Sequence, residues 1–212
     1  GYVMYLQKAL YGLKNSPRAW FDTFSQFLNN LGYTQSDYDE CLYEYKNGNR
    51  KIWLVVFVDD VLAIGDTEYI NDFVKIIGKT YKIRDLGEAN TFLGMEITRD
   101  RAKRTLKISQ TTYISKMAER FGVTKNKPKY VPLDPNVILK KARTAEETEG
   151  VDNELYRSII GSCMYAVQCC RPDALLAVSR LSQYLNNPSK MHMKHAEFLL
   201  TYLNTTRNQG IT

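Results

Sequence analysis

Between Ser16 and Gly32 the apolar residues Trp20, Phe21, Phe24, Phe27, Leu28 and Leu31 recur at spacings of three and four. That stripe predicts a helix to about Asn30, with Ser16 as N-cap, Pro17 at its first position and Gly32 just past its end. Ahead of it, residues 2–10 alternate loosely as a strand, and Tyr11 to Pro17 is a turn. Leu42-Tyr43-Glu44-Tyr45 alternates with period two, and Asn47-Gly48-Asn49 signals a turn. Residues 51–58 read as a strand, and its run from Ile52 to Val58 and the run 61–64 are apolar and β-branched, of the kind that form buried strands. Together these segments predict a three-stranded antiparallel meander with Asp59 and Asp60 at its second turn.

The pattern then changes twice. Asp66-Thr67 is placed to cap a helix over residues 68–79, whose buried side is Ile70, Phe73, Val74, Ile76 and Ile77. Residues 81–84 read as extended, Asp85-Leu86-Gly87 as a turn, and 91–97 as one alternating strand. Residues 105–108 are its hairpin partner across a charged turn. From Ser109 onward the period becomes helical: 111–121 closed by Gly122, then 153–169, 172–186 and 190–206. A polar, proline-bearing linker lies at about 125–150. The expected class is therefore α+β, an antiparallel sheet with packed helices followed by a helical region, divided into residues 1–108 and 109–212.

The doublet Asp59-Asp60 is the point where chemistry enters. An ionised carboxylate removed from water costs on the order of several kcal/mol unless compensated. Two adjacent ones raise each other's pKa. A hard, oxygen-seeking cation such as Mg²⁺ would resolve both problems. An ordinary β-turn with both side chains in water accounts for the same doublet, so the flanking sequence has to decide. The net charge of +6 is unevenly spread, with 12 basic and 2 acidic residues over 101–145. A basic stretch next to a carboxylate-bearing segment suits a polyanion held near a cation, although a solvated lysine-rich face reads the same way. The four cysteines lack metal-ligand spacing and read as reduced, mostly buried thiols of an intracellular protein. No apolar run is long enough to span a bilayer, and no membrane partner is expected. The start at Gly1 reads as that of a piece excised from something longer.

Several motifs share one resemblance. Phe57-Val58-Asp59-Asp60 resembles the aromatic-x-Asp-Asp motif of reverse transcriptases, carried at the tip of a palm hairpin. The stretch from Leu10 to Trp20, Leu-Tyr-Gly-Leu-Lys-Asn-Ser-Pro-Arg-Ala-Trp, resembles the preceding template- and nucleotide-binding motif in the form used by copia-type LTR retrotransposons. Thr91-Phe92-Leu93-Gly94 is similar to the family's primer grip. Residues 156–162, Arg171-Pro172-Asp173 and 202–206 resemble the tail of the copia-type domain. The resemblance implies a partial palm over 1–108 and a basic thumb or connection region over 109–212.

It also implies RNA-directed DNA polymerisation, with an RNA template, a DNA primer and dNTP as partners. The rest of a Pol polyprotein would be a further partner: upstream fingers and palm, and a downstream RNase H. Mg²⁺ is the implied cofactor, with Mn²⁺ as a substitute, and a cytoplasmic virus-like particle or the nucleus is the implied location. Asp59 would bind both ions and Asp60 would be the more peripheral ligand. Phe57 and Val58 would lie at the primer terminus. Gly12 would let the backbone approach a base pair, with Pro17 fixing the helix behind it and Lys14 and Arg18 contacting phosphate or template. Lys82 would protonate the leaving pyrophosphate, with Arg84 competing for that place. Phe92, Leu93 and Gly94 would press on the primer, and Lys116 and Arg120 would track the duplex backbone. His192 and His195 read as structural or surface groups.

One element of the family pattern is missing. The first of three catalytic carboxylates is implied upstream of the glycine turn, and no aspartate precedes Asp22, which lies on the helix after it. The expectation is that this chain alone does not polymerise. Two alternatives stay open: a non-catalytic nucleic-acid-binding remnant of a degraded or host-adopted element, and an unrelated palm-like nucleotidyltransferase or cyclase, against which Phe92-Leu93-Gly94 argues. Under the duplex-tracking reading, affinity for an RNA–DNA duplex is expected to fall by on the order of tenfold or more between about 50 and about 200 mM salt. Titrations followed by fluorescence anisotropy measure this, and a flat response would remove the role given to residues 101–145.

Overall fold

A computed structural model describes residues 6–212. Part of the strand expected over residues 2–10 lies outside them, and Leu6–Leu10 forms no strand. Among the described residues the fold is mixed, with two four-stranded antiparallel sheets and seven helices. The chain divides into two compact units, Gly1–Glu88 and Ala89–Thr212.

The first unit contains α1 (Ser16–Asn30), β1 (Thr34–Gln35), β2 (Leu42–Asn47), β3 (Arg50–Phe57), β4 (Asp60–Gly65) and α2 (Thr67–Thr80), with sheet order β1-β2-β3-β4. Along β3 the buried residues alternate: Ile52, Leu54 and Val56. They meet Phe24 and Leu28 of α1 and Phe73 and Ile77 of α2 in one core. The run expected as a buried strand is fully buried on one face, the one that the helices cover. Ser16 does not cap α1 with its side chain. Asn15 is the cap residue, and the Ser16 hydroxyl donates instead to the Leu10 carbonyl, closing the turn before the helix. Gly32 takes the expected place past the helix end, with the Tyr33 amide donating to Leu28 O at 3.1 Å.

The second unit opens with β5 (Thr91–Phe92), β6 (Met95–Asp100) and β7 (Thr105–Ser109). It continues with α3 (Thr111–Arg120), α4 (Ala145–Thr148), α5 (Asn153–Cys169), a 3-10 turn over Pro172–Ala174, α6 (Leu175–Ser182), α7 (Lys190–Thr205) and β8 (Gly210–Ile211). The single strand expected over 91–97 is a tight hairpin turning at Leu93-Gly94. Its alternation hid the turn, since a two-residue reversal disturbs period two very little. The helix expected over 172–186 is the 3-10 turn followed by the shorter α6. The two-residue strands β1 and β8 leave no periodic trace and exist only through their partners, β2 and β7.

The division at 108/109 expected from sequence falls later than the compact one, because hairpin β5–β6 is tied to helices. The Glu96 carboxylate on β6 accepts from the Thr112 amide at 2.8 Å, serving the N-terminus of α3 across the unit. That contact, with the Ser109 hydroxyl beside it, holds the Glu96 carboxyl below its usual range, chiefly through the hydrogen bonds from Thr112.

A second polar centre is Arg171, only 1% exposed. Its guanidinium forks onto Asp173 at 2.9 and 2.8 Å and donates to the Thr206 carbonyl and hydroxyl at 3.1 and 2.7 Å. The Tyr202 hydroxyl donates to the same Asp173 carboxylate at 2.6 Å. This network joins the end of α7 to the start of the 3-10 turn. All four cysteines are free; Cys163 and Cys170 are buried, and Cys41 and Cys169 are partly buried. Among the described residues no helix is long and apolar enough to cross a membrane.

His192 and His195 are buried on α7. The Ser189 amide donates to His192 Nδ1 at 2.8 Å, completing a capping box in which histidine takes the place usual for Glu or Gln. The cap therefore requires an unprotonated Nδ1. Burial pushes both histidines below their ordinary value; the charge of His195 adds to this at His192 against Glu147 and the Lys140 backbone, and that of Lys194 adds to it at His195 against Asp134. The unfolded chain then takes up protons first, so stability is full above about pH 6.5 and declines as pH falls through that value. The urea midpoint is expected to be lower at pH 5.5 than at pH 7.5. His192→Gln, which keeps the box, is expected to fold and to lose part of that acid sensitivity. An unchanged pH response in this variant would separate the effect from His192.

Candidate functional site

The β3–β4 hairpin reverses within two residues, as the β2–β3 hairpin does at Gly48-Asn49. Phe57 pairs with Asp60, leaving Val58 and Asp59 as the two turn residues. Val58 has φ +52°. A positive φ at the first position of a two-residue hairpin is ordinarily served by glycine, and for a β-branched residue it is a true outlier. Strain of this kind costs about 1–3 kcal/mol and persists only where neighbours over-determine it.

Those neighbours come from the glycine-turn segment. The indole N–H of Trp20 donates to the Val58 carbonyl at 2.7 Å, and the Tyr11 hydroxyl donates to Asp59 Oδ2 at 3.1 Å. Trp20 is itself held by stacking on Phe24 at 5.4 Å and an edge contact with Tyr81 at 5.5 Å. Tyr11 is held by the turn. Gly12 has φ +92° and open space where a Cβ would sit, so backbone conformation rather than crowding selects glycine there. Two motifs some forty residues apart thus converge on one hairpin tip.

The carboxylates are not buried, contrary to the expectation that opened the chemical argument. Asp59 and Asp60 are both exposed, because a hairpin tip projects beyond the strands that flank it. Phe57 and Val58 are also outside the core, at 50% and 48% exposure, so an apolar patch stands beside the acidic one. The tip offers two adjacent hard oxygen donors, which fits a Mg²⁺-type ion shared with a substrate. It does not form a closed cage: among the described residues no group of three or more His, Cys, Asp or Glu side chains is arranged to hold a metal. Tyr11 is 89% exposed, so its bond to Asp59 is open to displacement. The Asp59 carboxylate raises the Tyr11 phenol above its ordinary value, through that hydrogen bond first and its charge second.

The remaining expected residues of this unit are surface groups near the same motif. Lys14 and Pro17 are exposed, and Lys14 helps line a shallow hollow of about 460 Å³ with Lys8, Leu13 and Ser16. Arg18 is paired with Asp22 at 2.9 Å one helical turn on, which also occupies the carboxylate that sequence reasoning had set aside. Lys82 and Arg84 are exposed on the irregular segment after Tyr81, and no hydrogen bond joins either to Asp59 or Asp60.

In the second unit, Leu93 and Gly94 form the β5–β6 turn with φ +49° and +76°, the double positive pattern of a type I′ turn. Phe92 and Leu93 are half-buried and Gly94 is exposed. The Tyr165 hydroxyl of α5 donates to the Leu93 carbonyl at 2.8 Å. Lys116 and Arg120 are exposed on one face of α3. Arg120 lies over the Phe121 ring at 5.0 Å and donates to Ser158 Oγ at 3.3 Å, so its position is set. Sequence reasoning missed Tyr11, Trp20 and Tyr165 as supports. Tyr11 and Trp20 lie inside a recognised motif, and only their distance from the Asp pair along the chain concealed the contact. For Tyr165 no signal exists in sequence.

The chain belongs to the reverse transcriptase (RNA-dependent DNA polymerase) family, whose model matches residues 1–135. Within it, the relatives are copia-type. The chain is 38% identical over 209 residues to the retrovirus-related Pol polyprotein of transposon TNT 1-94 from Nicotiana tabacum, covering 96% of this chain and 16% of that protein. It is 34% identical over 211 residues to the Pol polyprotein of transposon RE1 from Arabidopsis thaliana, covering 99% and 14%. It is 30% identical over 208 residues to a putative transposon Ty5-1 protein of Saccharomyces cerevisiae, covering 98% and 66%. The chain therefore spans about one-sixth or less of the first two polyproteins. No solved structure matches it.

The clamp on Val58 can be tested by removing one atom pair. Trp20→Phe keeps the ring on Phe24 and deletes the donor. It is expected to lower stability by about 1 kcal/mol and to speed amide exchange at the β3–β4 tip. Exchange measured by mass spectrometry should rise over residues 57–61 while the rest of β3 stays protected. Unchanged exchange at the tip would mean that the indole bond does not hold it.

Proposed function

We propose that this chain supplies part of a polymerase centre for RNA-directed DNA synthesis, residues 1–108 as a partial palm and residues 109–212 as a basic thumb or connection region. The observation that carries the reading is the convergence of Tyr11 and Trp20 on Val58 and Asp59. A motif that would meet the templating pair and one that would hold metal are fixed against each other within one compact unit.

On this reading Asp59 and Asp60 would hold divalent ions shared with the primer and the incoming dNTP. Such ions, when bound, make the primer 3′-hydroxyl more nucleophilic and stabilise charge on the leaving pyrophosphate. The protein's own contribution is to hold the Asp59 carboxylate at a fixed place. The strained, clamped tip does so without reorganisation at the moment of reaction. Phe57 and Val58 present an apolar edge where a terminal base would rest. Tyr11 would release Asp59 as an ion arrives, since a carboxylate oxygen engaged by a phenol is a weaker ligand. Phe92-Leu93-Gly94 would press backbone on the primer, and Lys116 and Arg120 would track its phosphates. Lys82 serves as proton donor only if the segment after Tyr81 approaches the tip. RNA template, primer and dNTP are the substrates of this reading, within a longer Pol polyprotein and, by family analogy, a virus-like particle or the nucleus.

Two carboxylates hold Mg²⁺ weakly without substrate phosphates. The expected results are therefore no tight Mg²⁺ site by calorimetry and no extension of oligo(dT) on poly(rA) by the purified chain. Fe²⁺ with peroxide is expected to cut the chain next to residues 59–60, and Asp59→Asn to abolish that cut. Absence of cleavage at the tip would remove the metal assignment. Robust extension that Asp59→Asn abolishes would overturn the view that this chain alone is incomplete.

A further inference from the structure

Leucine is a poor residue for φ +49°, yet Leu93 opens a turn carried by only two ladder pairs, Thr91 with Glu96 and Phe92 with Met95. A ladder that short does not impose its turn. The base of the hairpin is fixed by Glu96, which accepts from the Thr112 amide. From outside the hairpin, the tip receives a 2.8 Å hydrogen bond that Tyr165 Oη donates to the Leu93 carbonyl.

We propose that Tyr165 is a positioning residue for the primer strand: its hydroxyl locks the Leu93 carbonyl and so holds the Leu93-Gly94 turn in its left-handed shape. The proposal rests on the reading of Phe92-Leu93-Gly94 as the primer-contacting turn. Four observations carry it. Tyr165 stands 38% exposed, so core packing does not account for a large aromatic there. Its ring is set edge-on to Tyr113 at 5.0 Å, and Tyr113 is itself tied to the Ser162 carbonyl at 3.1 Å, so the hydroxyl is aimed by a fixed support. A Cβ built on Gly94 would lie 3.4 Å from Tyr165 Oη, so the hydroxyl is already against the turn and glycine leaves it room. The acceptor is a carbonyl in a strained residue, where a single bond decides between two peptide orientations. Without it, Leu93 is free to return to negative φ, which rotates the turn's peptide planes and moves the backbone surface offered to a primer.

The same pattern holds the other hairpin, where the Trp20 indole grips the carbonyl of Val58. In both cases a residue unsuited to positive φ is kept there by an aromatic donor from a helix.

The test uses the whole 212-residue chain with a DNA primer annealed to an RNA template, the primer carrying a diazirine nucleotide at its 3′ end. Total binding is read by anisotropy, and photocrosslinks to the tryptic peptide 85–99 by mass spectrometry. The wild-type chain is expected to crosslink there. Tyr165→Phe is expected to keep its melting temperature and its overall affinity. Its crosslink yield per bound duplex should drop by about fivefold, the worth of one ordinary hydrogen bond. Gly94→Ala, which pushes on the hydroxyl and strains φ, is expected to lower the same yield. If the wild-type chain binds but leaves peptide 85–99 unlabelled, the primer-contacting reading of the turn falls, and the role of Tyr165 with it. If wild type labels the peptide and Tyr165→Phe labels it equally per bound duplex, the turn reading stands and the positioning role is wrong. If Tyr165→Phe instead unfolds the chain or weakens all binding equally, the hydroxyl is structural and the proposal is overturned.

Discussion

The hydrogen bond from the Trp20 indole to the Val58 carbonyl is the contact on which the candidate site turns. It does two things at once. It holds a valine at positive φ, so that β3 reverses within two residues and throws Asp59 to the outermost point of the hairpin. It also joins helix α1 to that point, so the loop leading into the helix arrives beside the carboxylate with Tyr11 in reach. The aromatic cluster of Trp20, Phe24, Phe27 and Tyr81 lies behind the indole and limits its movement. The core under the sheet is therefore connected to an exposed acidic tip through one directional bond.

The exposure of Asp59 and Asp60 changes the physical account of the doublet. Buried carboxylates would have demanded a cation for the fold itself. Exposed ones make no such demand: water solvates them, and the doublet is compatible with a folded chain that carries no ion. What the tip supplies is placement. Oxygen donors held on a constrained turn lose little freedom when an ion and its phosphate ligands come together. The apolar pair Phe57 and Val58 stands half in water beside the carboxylates, outside the core under the sheet.

The second unit solves a different problem with related chemistry. Its helices share one continuous core built from α3, α5, α6 and α7, and polar side chains stitch irregular segments to that core. Glu96 caps a helix that its own strand does not precede, Arg171 ties the end of α7 to the 3-10 turn through Asp173 and Thr206, and His192 completes a cap that acid would open. Each is a charged or titratable group placed where backbone donors or acceptors would otherwise lack partners. Most of the basic residues of 101–145 lie on the outside of this scaffold, with Lys107 and Lys129 partly buried.

Local physical chemistry made much of this legible in the chain itself. The three- and four-residue stripe of α1, the alternation through β3 and β4, and the glycines after α1 and α3 each carry their own structural instruction. The motifs around Asp59, Gly12 and Leu93 carry a family resemblance that the comparisons then bear out. The unread part consists of contacts whose partners are far apart in sequence. No periodicity foretells that Tyr11 meets Asp59, that Tyr165 meets Leu93, or that two residues at each margin pair as β1 and β8, because such bonds exist only once separate elements have packed. Nor does composition reveal that Val58 and Leu93 adopt a backbone that their side chains disfavour. The sequence by itself determined the family, through motifs that include the Asp59-Asp60 doublet, and most of the helices and strands. The tertiary structure decided that the carboxylates stand in water at a strained tip, because only packing supplies the aromatic donors that hold such a turn.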